Sequence, residues 1–351
     1  MLVENPPNYE SLIQNLSKEN TSNREFYVRN HFSVPKISLS DWKLEVSFEP
    51  SKTKKFFSYD QIRSLPTLTV SATLECAGNG RINFPRKAPG EVAWGNCAVG
   101  NAQWRGVPVS EIIRAAGINE SEIERVAEFI FVGADGSIDE KVRLESPAKF
   151  VRALHPDKAM DPAVIVALDM NGAPLLLDHG FPARLLVPGW YAMASVKWLK
   201  QIILRGGGSE KFSGHFNGVK YVYETKHNGR WMREAITSLR VKSLIVSPSE
   251  GSTIQGGNSV PITGKAWSGA GSVVNVEVNC GCGWHNATLG TPNGEYAWRS
   301  WNYAWTPESK GSVTLRVRAT DEKGNVQSDR GEDNRYLYGY NGIHRVCVTI
   351  V

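Results

Sequence analysis

A cysteine at the end of a predicted strand is the residue of this sequence with the clearest chemical potential. In TLTVSATLECAGNGR (residues 67–81), apolar and polar side chains alternate up to Cys76, which is typical of a strand with one buried face. Gly78 and Gly80 then end the strand and allow another group to approach closely, and Arg81 follows. The thiol could ligate a soft metal, or it could close a core strand as a small apolar residue. The pattern by itself favours the second interpretation.

Three hydrogen-bonding side chains in a row interrupt the aromatic segment FYVRNHFSVP. Arg29, Asn30 and His31 stand where a surface strand would alternate. Either this segment is a loop that crosses the surface, or the three side chains converge on a ligand. The residues leave both interpretations open.

Basic residues also recur in the otherwise apolar segment 178–200. Arg184 and Lys197 lie within predicted buried strand, and a desolvated charge without a partner is very costly. Their partner is either a bound anion or the carboxylates of Asp178 and Asp169.

The regular elements around these residues mix strands and helices without strict alternation, which indicates an α+β fold. The chain continues from a strand at 163–168 into Met170-Asn171-Gly172, a hairpin turn signal. The sequence predicts strands over 42–48, 68–76, 126–132 and 163–168, and helices over 9–16, 109–116 and 148–154.

From about Val241 the pattern changes to short alternating strands that are separated by turns. This is typical of a β-sandwich of the immunoglobulin type. We therefore expect an N-terminal arm over 1–25, a mixed α/β domain over 26–240 and an immunoglobulin-like sandwich over 241–351.

Composition excludes several classes of protein. The 351 residues carry a net charge of +5 that is spread along the chain, with no basic run of the kind that binds nucleic acid. No apolar run approaches the roughly 18 residues that a membrane span needs. We expect neither nucleic acid nor membrane as a partner.

Cysteine usage indicates a reducing compartment. Five cysteines are an odd number and form no disulfide framework, so we expect a cytoplasmic location. The first residues lack a secretory signal pattern, although a chain trimmed of its leader would look the same, and a periplasmic location stays open.

Taken together, these segments resemble the sulfite oxidase family of molybdenum-pterin enzymes. The likeness runs from about Phe26 to the C-terminus, because KAWSGAG and GIHRVCV resemble that family's dimerisation domain. It implies a molybdenum-molybdopterin cofactor, oxidation of sulfite to sulfate and a homodimer. The segments that carry it in the first part of the chain are FYVRNHFSVP, TLECAGNGR, AQWRGVPVSEII, DMNGAPLLLDHGFPARLLVPG and SVKWL.

The resemblance implies a role for individual residues. Cys76 matches the cysteine whose thiolate binds molybdenum, while Arg29 and Arg81 match arginines that bind the substrate oxyanion, Arg29 facing the metal oxo group. Cofactor binding is implied for Asn30, His31, Asp135, His179, Arg184, Ser195, Val196 and Lys197.

Two further site residues are less closely matched. The family's active-site tyrosine falls inside KFSGHFNGVKYVYE, where Tyr221 is the first choice and Tyr223 the second. Arg335, one place out of register, is the nearest candidate for an arginine that reaches the pocket from the second domain.

Some features depart from the family pattern. Ala192-Met193-Ala194 stands where family members commonly show Gly-Ala-Arg, so a positive charge is missing near the cofactor. No haem-binding domain and no C-x-x-C-H motif is visible, so we expect no haem and an external electron acceptor such as a cytochrome or oxygen.

Two alternative functions stay open. The same cofactor could serve another sulfur compound, by sulfoxide reduction or sulfane oxidation, or the chain could be a non-catalytic dimeric binding scaffold. The Cys280-Gly281-Cys282 motif with His285 suggests a metal site, but zinc needs a fourth ligand and a hairpin turn with thiols is the favoured interpretation.

Overall fold

The computed structural model describes residues 2–137, 146–207, 212 and 214–351. Its contacts divide the chain into two compact units, each built from three separate segments. The first unit consists of Met1–Tyr9, Val28–Val70 and Gln103–Thr237, and the second of Glu10–Tyr27, Ser71–Ala102 and Ser238–Val351.

Strands dominate the secondary structure. The helices are α1 (Tyr59–Arg63), α2 (Val109–Ala115), α3 (Glu120–Ile123) and α4 (Pro156–Ala159). The strands are β1 (Lys43–Phe48), β2 (Thr53–Ser58), β3 (Leu68–Glu75), β4 (Val99–Pro108), β5 (Val126–Gly136), β6 (Lys149–Leu154), β7 (Ile165–Met170), β8 (Ala173–Pro174), β9 (Arg184–Leu186), β10 (Leu199–Gly206), β11 (Val222–His227), β12 (Arg230–Ala235), β13 (Lys242–Ser247), β14 (Thr253–Ile254), β15 (Val260–Trp267), β16 (Val273–Asn279), β17 (Trp284–Asn286), β18 (Thr288–Leu289), β19 (Arg299–Trp305), β20 (Gly311–Asp321) and β21 (His344–Ile350).

A five-stranded sheet in the order β2-β1-β10-β5-β6 forms the framework of the first unit. Strand β1 runs parallel to β10, and the other neighbours are antiparallel. Leu44, Val46 and Phe48 of β1 are buried, as the alternation in the sequence predicts. The sheet brings the carboxyl end of β5, with Asp135, and the start of β10, just after Lys197, into the same unit.

A second sheet has the order β3-β4-β7-β8, with β9 paired to β7. Strands β7 and β8 form the hairpin that Met170-Asn171-Gly172 predicts, with Asn171 and Gly172 at φ angles of 50° and 77°. A β-carbon on Gly106 would lie 2.1 Å from the carbonyl oxygen of Val166, so glycine is required for β4 to pair with β7.

The C-terminal strands of the second unit form a β-sandwich. Its sheets have the orders β13-β15-β19-β18 and β14-β21-β20-β16-β17. Both contribute to one apolar core, including Ile245 and Ile262 from the first sheet and Val276, Leu315 and Val348 from the second. The predicted α+β fold with an immunoglobulin-like sandwich is confirmed.

Local predictions were wrong in several places. The segment 148–154 was expected to be a helix, but Lys149–Leu154 is strand β6 because it hydrogen-bonds to the edge of β5. The predicted strand 126–132 continues to Gly136, and the expected helix over 9–16 is reduced to a 3₁₀ turn at Ile13–Ser17. The long strand β4 was not predicted.

The compact units do not follow the sequence in order. Residues 10–27 and 71–102 group with the C-terminal strands, whereas the sequence-based division at 25 and 240 assigns them elsewhere. That division stays a prediction. Residues 211 and 213 of the KFSGHFNGVKYVYE segment lie outside the described residues.

Among the helices of the described ranges, none combines the length and the apolar character that crossing a membrane requires.

Candidate functional site

Arg29, Asn30 and His31 lie in the first unit, held by the N-terminal segment. The Asn8 amide is 1% exposed and bonds both to the backbone N–H of Asn30 (2.8 Å, Oδ1) and to its carbonyl (3.2 Å, Nδ2). Arg29 Nη1 donates to the same Asn8 oxygen at 3.1 Å. The sequence analysis missed Asn8, since one asparagine in a polar arm carries no signal of its partners.

His31 connects Arg29 to Tyr221. Arg29 Nη2 lies 3.0 Å from Nδ1 and 3.2 Å from Nε2 of His31, and because arginine has only donors, the imidazole ring accepts this hydrogen bond. Burial, followed by the charge of Arg29, holds the pKa of His31 well below its usual range, so the ring is neutral. Nε2 also forms a hydrogen bond with the Tyr221 hydroxyl group, so His31 joins the guanidinium of Arg29 to that hydroxyl.

The backbone of Tyr221 adopts an uncommon conformation. Its φ angle is 57°, in the left-handed region that aromatic residues seldom occupy. The residue is 3% exposed, and its carbonyl accepts from the N–H of Ile236 at 3.1 Å. Strain of this kind clusters at functional sites, which favours Tyr221 over Tyr223 as the active-site tyrosine.

Arg184 and Lys197 are oriented by backbone carbonyl groups. Arg184 donates to the carbonyls of His179 (3.1 Å) and Ser195 (3.0 Å), and Lys197 donates to the carbonyl of Asp178 (2.8 Å) and to the side chain of Asn30. These carbonyl groups fix the directions of the two side chains.

Asp169, one of the two carboxylates expected as possible partners of these cations, pairs with Arg63 (3.4 Å) and Arg105 (3.1 Å). Asp178 contributes its carbonyl to Lys197, while its carboxylate accepts from the Tyr9 hydroxyl at 3.5 Å.

Gly180 permits the close packing of this region. Its φ angle is 103°, and a β-carbon there would lie 3.0 Å from Cβ of Arg184 and 3.1 Å from Cβ of Lys197. Both distances are shorter than ordinary van der Waals contact, so any side chain at position 180 would push the two cations apart.

Asp135 is a buried acidic residue close to Lys197. It is 6% exposed, and among the described residues its Oδ1 has no hydrogen-bond partner. Burial raises its pKa. Burial lowers the pKa of Lys197, and the neighbouring Arg184 lowers it further, while Asp135 and Asp178 act in the opposite sense.

The remaining cofactor residues assigned from the sequence are buried in the same unit. Ser195 is 2% exposed and its hydroxyl accepts from the N–H of Val187 at 2.9 Å, and Val196 is fully buried. His179 is 3% exposed and supplies a carbonyl to Arg184.

The first-unit cluster of Arg29, His31, Asp135, Arg184 and Lys197 fits an anionic pterin group. The cluster holds three basic side chains, Arg29, Arg184 and Lys197, and one carboxyl group, that of Asp135, so basic side chains outnumber acidic ones within it. A phosphate would balance that excess, and N–H donors of a pterin would satisfy the buried Asp135 oxygen.

Cys76 lies in the second unit, at the end of β3. It is 6% exposed, its N–H donates to the carbonyl of Ala98 (2.9 Å) and its carbonyl accepts from Asn79 (2.9 Å). None of the five cysteines, all of them described, takes part in a disulfide. A thiol held by backbone on both sides is suited to ligate a soft metal.

Arg81 follows this turn and is 6% exposed. Its guanidinium donates to the carbonyls of Val92 (2.7 Å) and Tyr336 (3.2 Å) and pairs with Glu91 (3.6 Å). A β-carbon on Gly78 would lie 2.7 Å from this guanidinium, so the first glycine of the motif accommodates Arg81. Its predicted contact with substrate stays a prediction.

Arg335 also lies in the second unit. Its side chain is exposed, and its guanidinium stands 5.3 Å from the centre of the Tyr336 ring. Its predicted role in the pocket likewise stays a prediction.

The Cys280-Gly281-Cys282 motif forms the predicted hairpin turn. It joins β16 to β17, with Gly281 and Gly283 at φ angles of 108° and 116°. Cys282 Sγ lies 3.8 Å from His285 Nε2. Within the described ranges, no three His, Cys, Asp or Glu side chains are grouped as a metal site.

Both parts of the chain match known protein families. Residues 31–213, more than half of the chain, match the oxidoreductase molybdopterin binding domain, and residues 233–350 match the Mo-co oxidoreductase dimerisation domain.

Individual proteins show the same relationship. The chain is 34% identical to mitochondrial sulfite oxidase of Drosophila melanogaster, over 94% of this chain and 59% of the relative. It is 30% identical to sulfite oxidase of Gallus gallus, over 88% of this chain and 68% of the relative. The crystal structure of the sulfane dehydrogenase SoxCD from Paracoccus pantotrophus has a TM-score of 0.82 and 24% identity, covering 99% of this chain and 86% of that one.

The fold and the two groups of residues thus define a molybdopterin-binding oxidoreductase domain followed by its dimerisation domain. The chain belongs to the sulfite oxidase family. It spans about three fifths of the length of the Drosophila relative.

Proposed function

We propose that this chain binds a molybdenum-molybdopterin cofactor and oxidises sulfite to sulfate, and that it passes the electrons to an external acceptor. The relatives named sulfite oxidase support this proposal at 30–34% identity over most of the chain. The observation that carries it is the grouping of three basic side chains, Arg29, Arg184 and Lys197, with the single carboxyl group of Asp135 in the first-unit cluster, because such a cluster would attract an anionic cofactor and an anionic substrate.

The first-unit residues would bind the cofactor. Arg184 and Lys197, already directed by carbonyl groups, would meet the phosphate with charge-assisted hydrogen bonds. Asp135 would accept from ring N–H donors, and Cys76 of the second unit would provide the thiolate ligand to molybdenum.

Arg29 and Tyr221 would bind the substrate oxyanion. Asn8 and His31 hold the guanidinium of Arg29, so the position of its charge is fixed before substrate arrives. The neutral His31 also orients the Tyr221 hydroxyl group. Such preorganised donors cost no reorganisation during the reaction. Arg81 and Arg335 are the proposed additional arginines.

The overall reaction balances as sulfite and water giving sulfate, two protons and two electrons. A molybdenum-pterin group, when bound, supplies the oxygen-atom transfer and accepts the electron pair. The protein contributes position and charge.

Metal analysis combined with a sulfite-dependent reduction assay tests this function. Wild-type protein should contain molybdenum and reduce an artificial acceptor such as ferricyanide when sulfite is added. Cys76→Ser should abolish that turnover while the fold is kept, since a hydroxyl is a poor ligand for this metal. Cys97→Ser is the matched control, because Cys97 is also buried in the second unit and burial raises its pKa to about 12.

Three outcomes would contradict the proposal. Turnover of sulfoxides or sulfane sulfur without sulfite turnover would assign another sulfur substrate. Wild-type protein without molybdenum, produced with ample metal, would indicate a binding scaffold. Full activity of Cys76→Ser would show that the Cys76 thiolate is not a ligand that the reaction needs.

A further inference from the structure

The residue immediately before Cys76 has an unusually complete set of partners. Glu75 is 1% exposed, yet its carboxylate accepts hydrogen bonds from three side chains of the second unit. These donors are Asn79 Nδ2 (2.9 Å), Lys242 Nζ (2.9 Å) and Trp267 Nε1 (2.8 Å).

Two of the donors belong to the sandwich. Lys242 begins β13 and is 1% exposed, and Trp267 ends β15 and is 2% exposed. Lys242 and Trp267 are also register partners in the β13–β15 ladder. The carboxylate therefore joins the strand that carries Cys76 to a rigid pair of sandwich strands. Removing either partner of a buried ion pair leaves an uncompensated charge.

The third donor extends this connection to the turn after Cys76. Asn79 donates to Glu75, and its own Oδ1 accepts from the N–H of Ala98 at 3.0 Å. Ala98 in turn accepts from the N–H of Cys76 at 2.9 Å. The backbone on both sides of the cysteine is thus connected to a single carboxylate.

We propose that Glu75 is a positioning residue for the Cys76 thiol, and that the sandwich acts through it to fix the cysteine. The side chain of Glu75 needs no contact with substrate or cofactor for this role. The inference rests on the proposed function only in taking Cys76 as the metal ligand. The dimerisation domain would then help to position the metal ligand through Glu75, in addition to any role in assembly.

Glu75→Gln tests the role, because it keeps the shape of the side chain but removes its charge and leaves the Lys242 ammonium without a carboxylate. Trp267→Phe is a milder second variant that removes one donor and keeps an aromatic ring. Glu277→Gln is the matched control, since Glu277 forms an ion pair with Arg318 (2.7 Å) elsewhere in the sandwich.

The first measurement uses cofactor-free full-length protein and follows alkylation of Cys76 by peptide mass spectrometry, with Cys97 as an internal reference. We expect alkylation of Cys76 about tenfold faster in Glu75→Gln, a smaller increase in Trp267→Phe and none in Glu277→Gln. The double variant Glu75→Gln/Lys242→Met should restore part of the protection, because it removes both buried charges.

The second measurement uses cofactor-loaded protein. The electron paramagnetic resonance spectrum of its Mo(V) state should change in Glu75→Gln, because it reports the geometry of the thiolate ligand, and kcat should fall more than KM changes.

Wild-type alkylation rates and a wild-type spectrum in both folded variants would overturn the proposal. Equal acceleration at Cys76 and Cys97 would also overturn it, by showing general loosening of the fold. If wild-type protein binds no molybdenum, the proposed function fails, while the alkylation rates still test the positioning role.

Discussion

At the scale of single residues, the candidate site depends on buried side chains that hold one another in place, such as Asn8 with Arg29 and Asn30. The run Arg29-Asn30-His31 stands out because it breaks alternation, and the buried cations Arg184 and Lys197 stand out because they need an anion. Asn8 could not be found this way, since its bonds to Asn30 span 22 positions and depend on how the chain folds back.

The Tyr221 hydroxyl yields a prediction at this scale. Tyr221→Phe should lower kcat for sulfite by about 10- to 100-fold, as expected for loss of one preorganised hydrogen-bond donor. It should leave the fold intact because the ring remains buried. Steady-state kinetics with Tyr223→Phe as the control will show whether the effect is specific. A larger loss in Tyr223→Phe than in Tyr221→Phe would reverse the assignment.

At the scale of elements, local patterns identified strands with one buried face and failed where pairing decides the structure. Strand β1 was predicted from its residue pattern, and in the structure the burial of its side chains alternates accordingly. In KFVRAL, the apolar residues Phe150, Val151 and Leu154 are also spaced as on a helix face. This segment forms strand β6 because it pairs with β5, and the local sequence gives no sign of that partner.

The contact between β13 and the start of β21 predicts a dependence of stability on pH. His344 Nδ1 accepts from the N–H of Ile245 at 3.1 Å, and burial, with Lys242 and Arg345 nearby, lowers the pKa of His344 to about 4. The unfolded chain, with a histidine pKa of about 6.5, binds the proton more tightly than the folded chain. His344 therefore destabilises the fold progressively as the pH falls from about 6.5 to 4.

Denaturant unfolding at several pH values measures this effect. The loss should be about 2 kcal/mol, less than the full linkage value because the residue is partly exposed. His344→Gln should make the free energy of unfolding less dependent on pH. His285→Gln, which changes an exposed histidine of the same sandwich, should leave this dependence unchanged. An unaltered slope in His344→Gln would place the titration on other groups.

At the scale of the whole molecule, the chain order does not give the order of the compact units. A linear reading divides the chain near residue 240, but the segment 71–102 groups with the C-terminal strands. The sequence offers no signal for this, because Glu75 and Lys242 stand 167 positions apart and each looks ordinary in its own context. The resemblance to a family identified the fold more completely than local patterns did.

Homodimer formation is the prediction for the whole molecule. The match to a dimerisation domain over residues 233–350 supports it, and closed two-fold dimers are the commonest soluble oligomers. Light scattering over a dilution series should give twice the 38.8 kDa mass of one chain. A mass of one chain at all concentrations would contradict it.

The bond from the Gly339 N–H to the carbonyl of Ala77, at 2.8 Å, has a consequence for biosynthesis. During translation, the segment around Ala77 leaves the ribosome long before Gly339 has been polymerised. The cysteine turn cannot acquire its native surroundings until Gly339 has been synthesised. Insertion of the proposed metal group into the completed turn would therefore follow synthesis of residue 339.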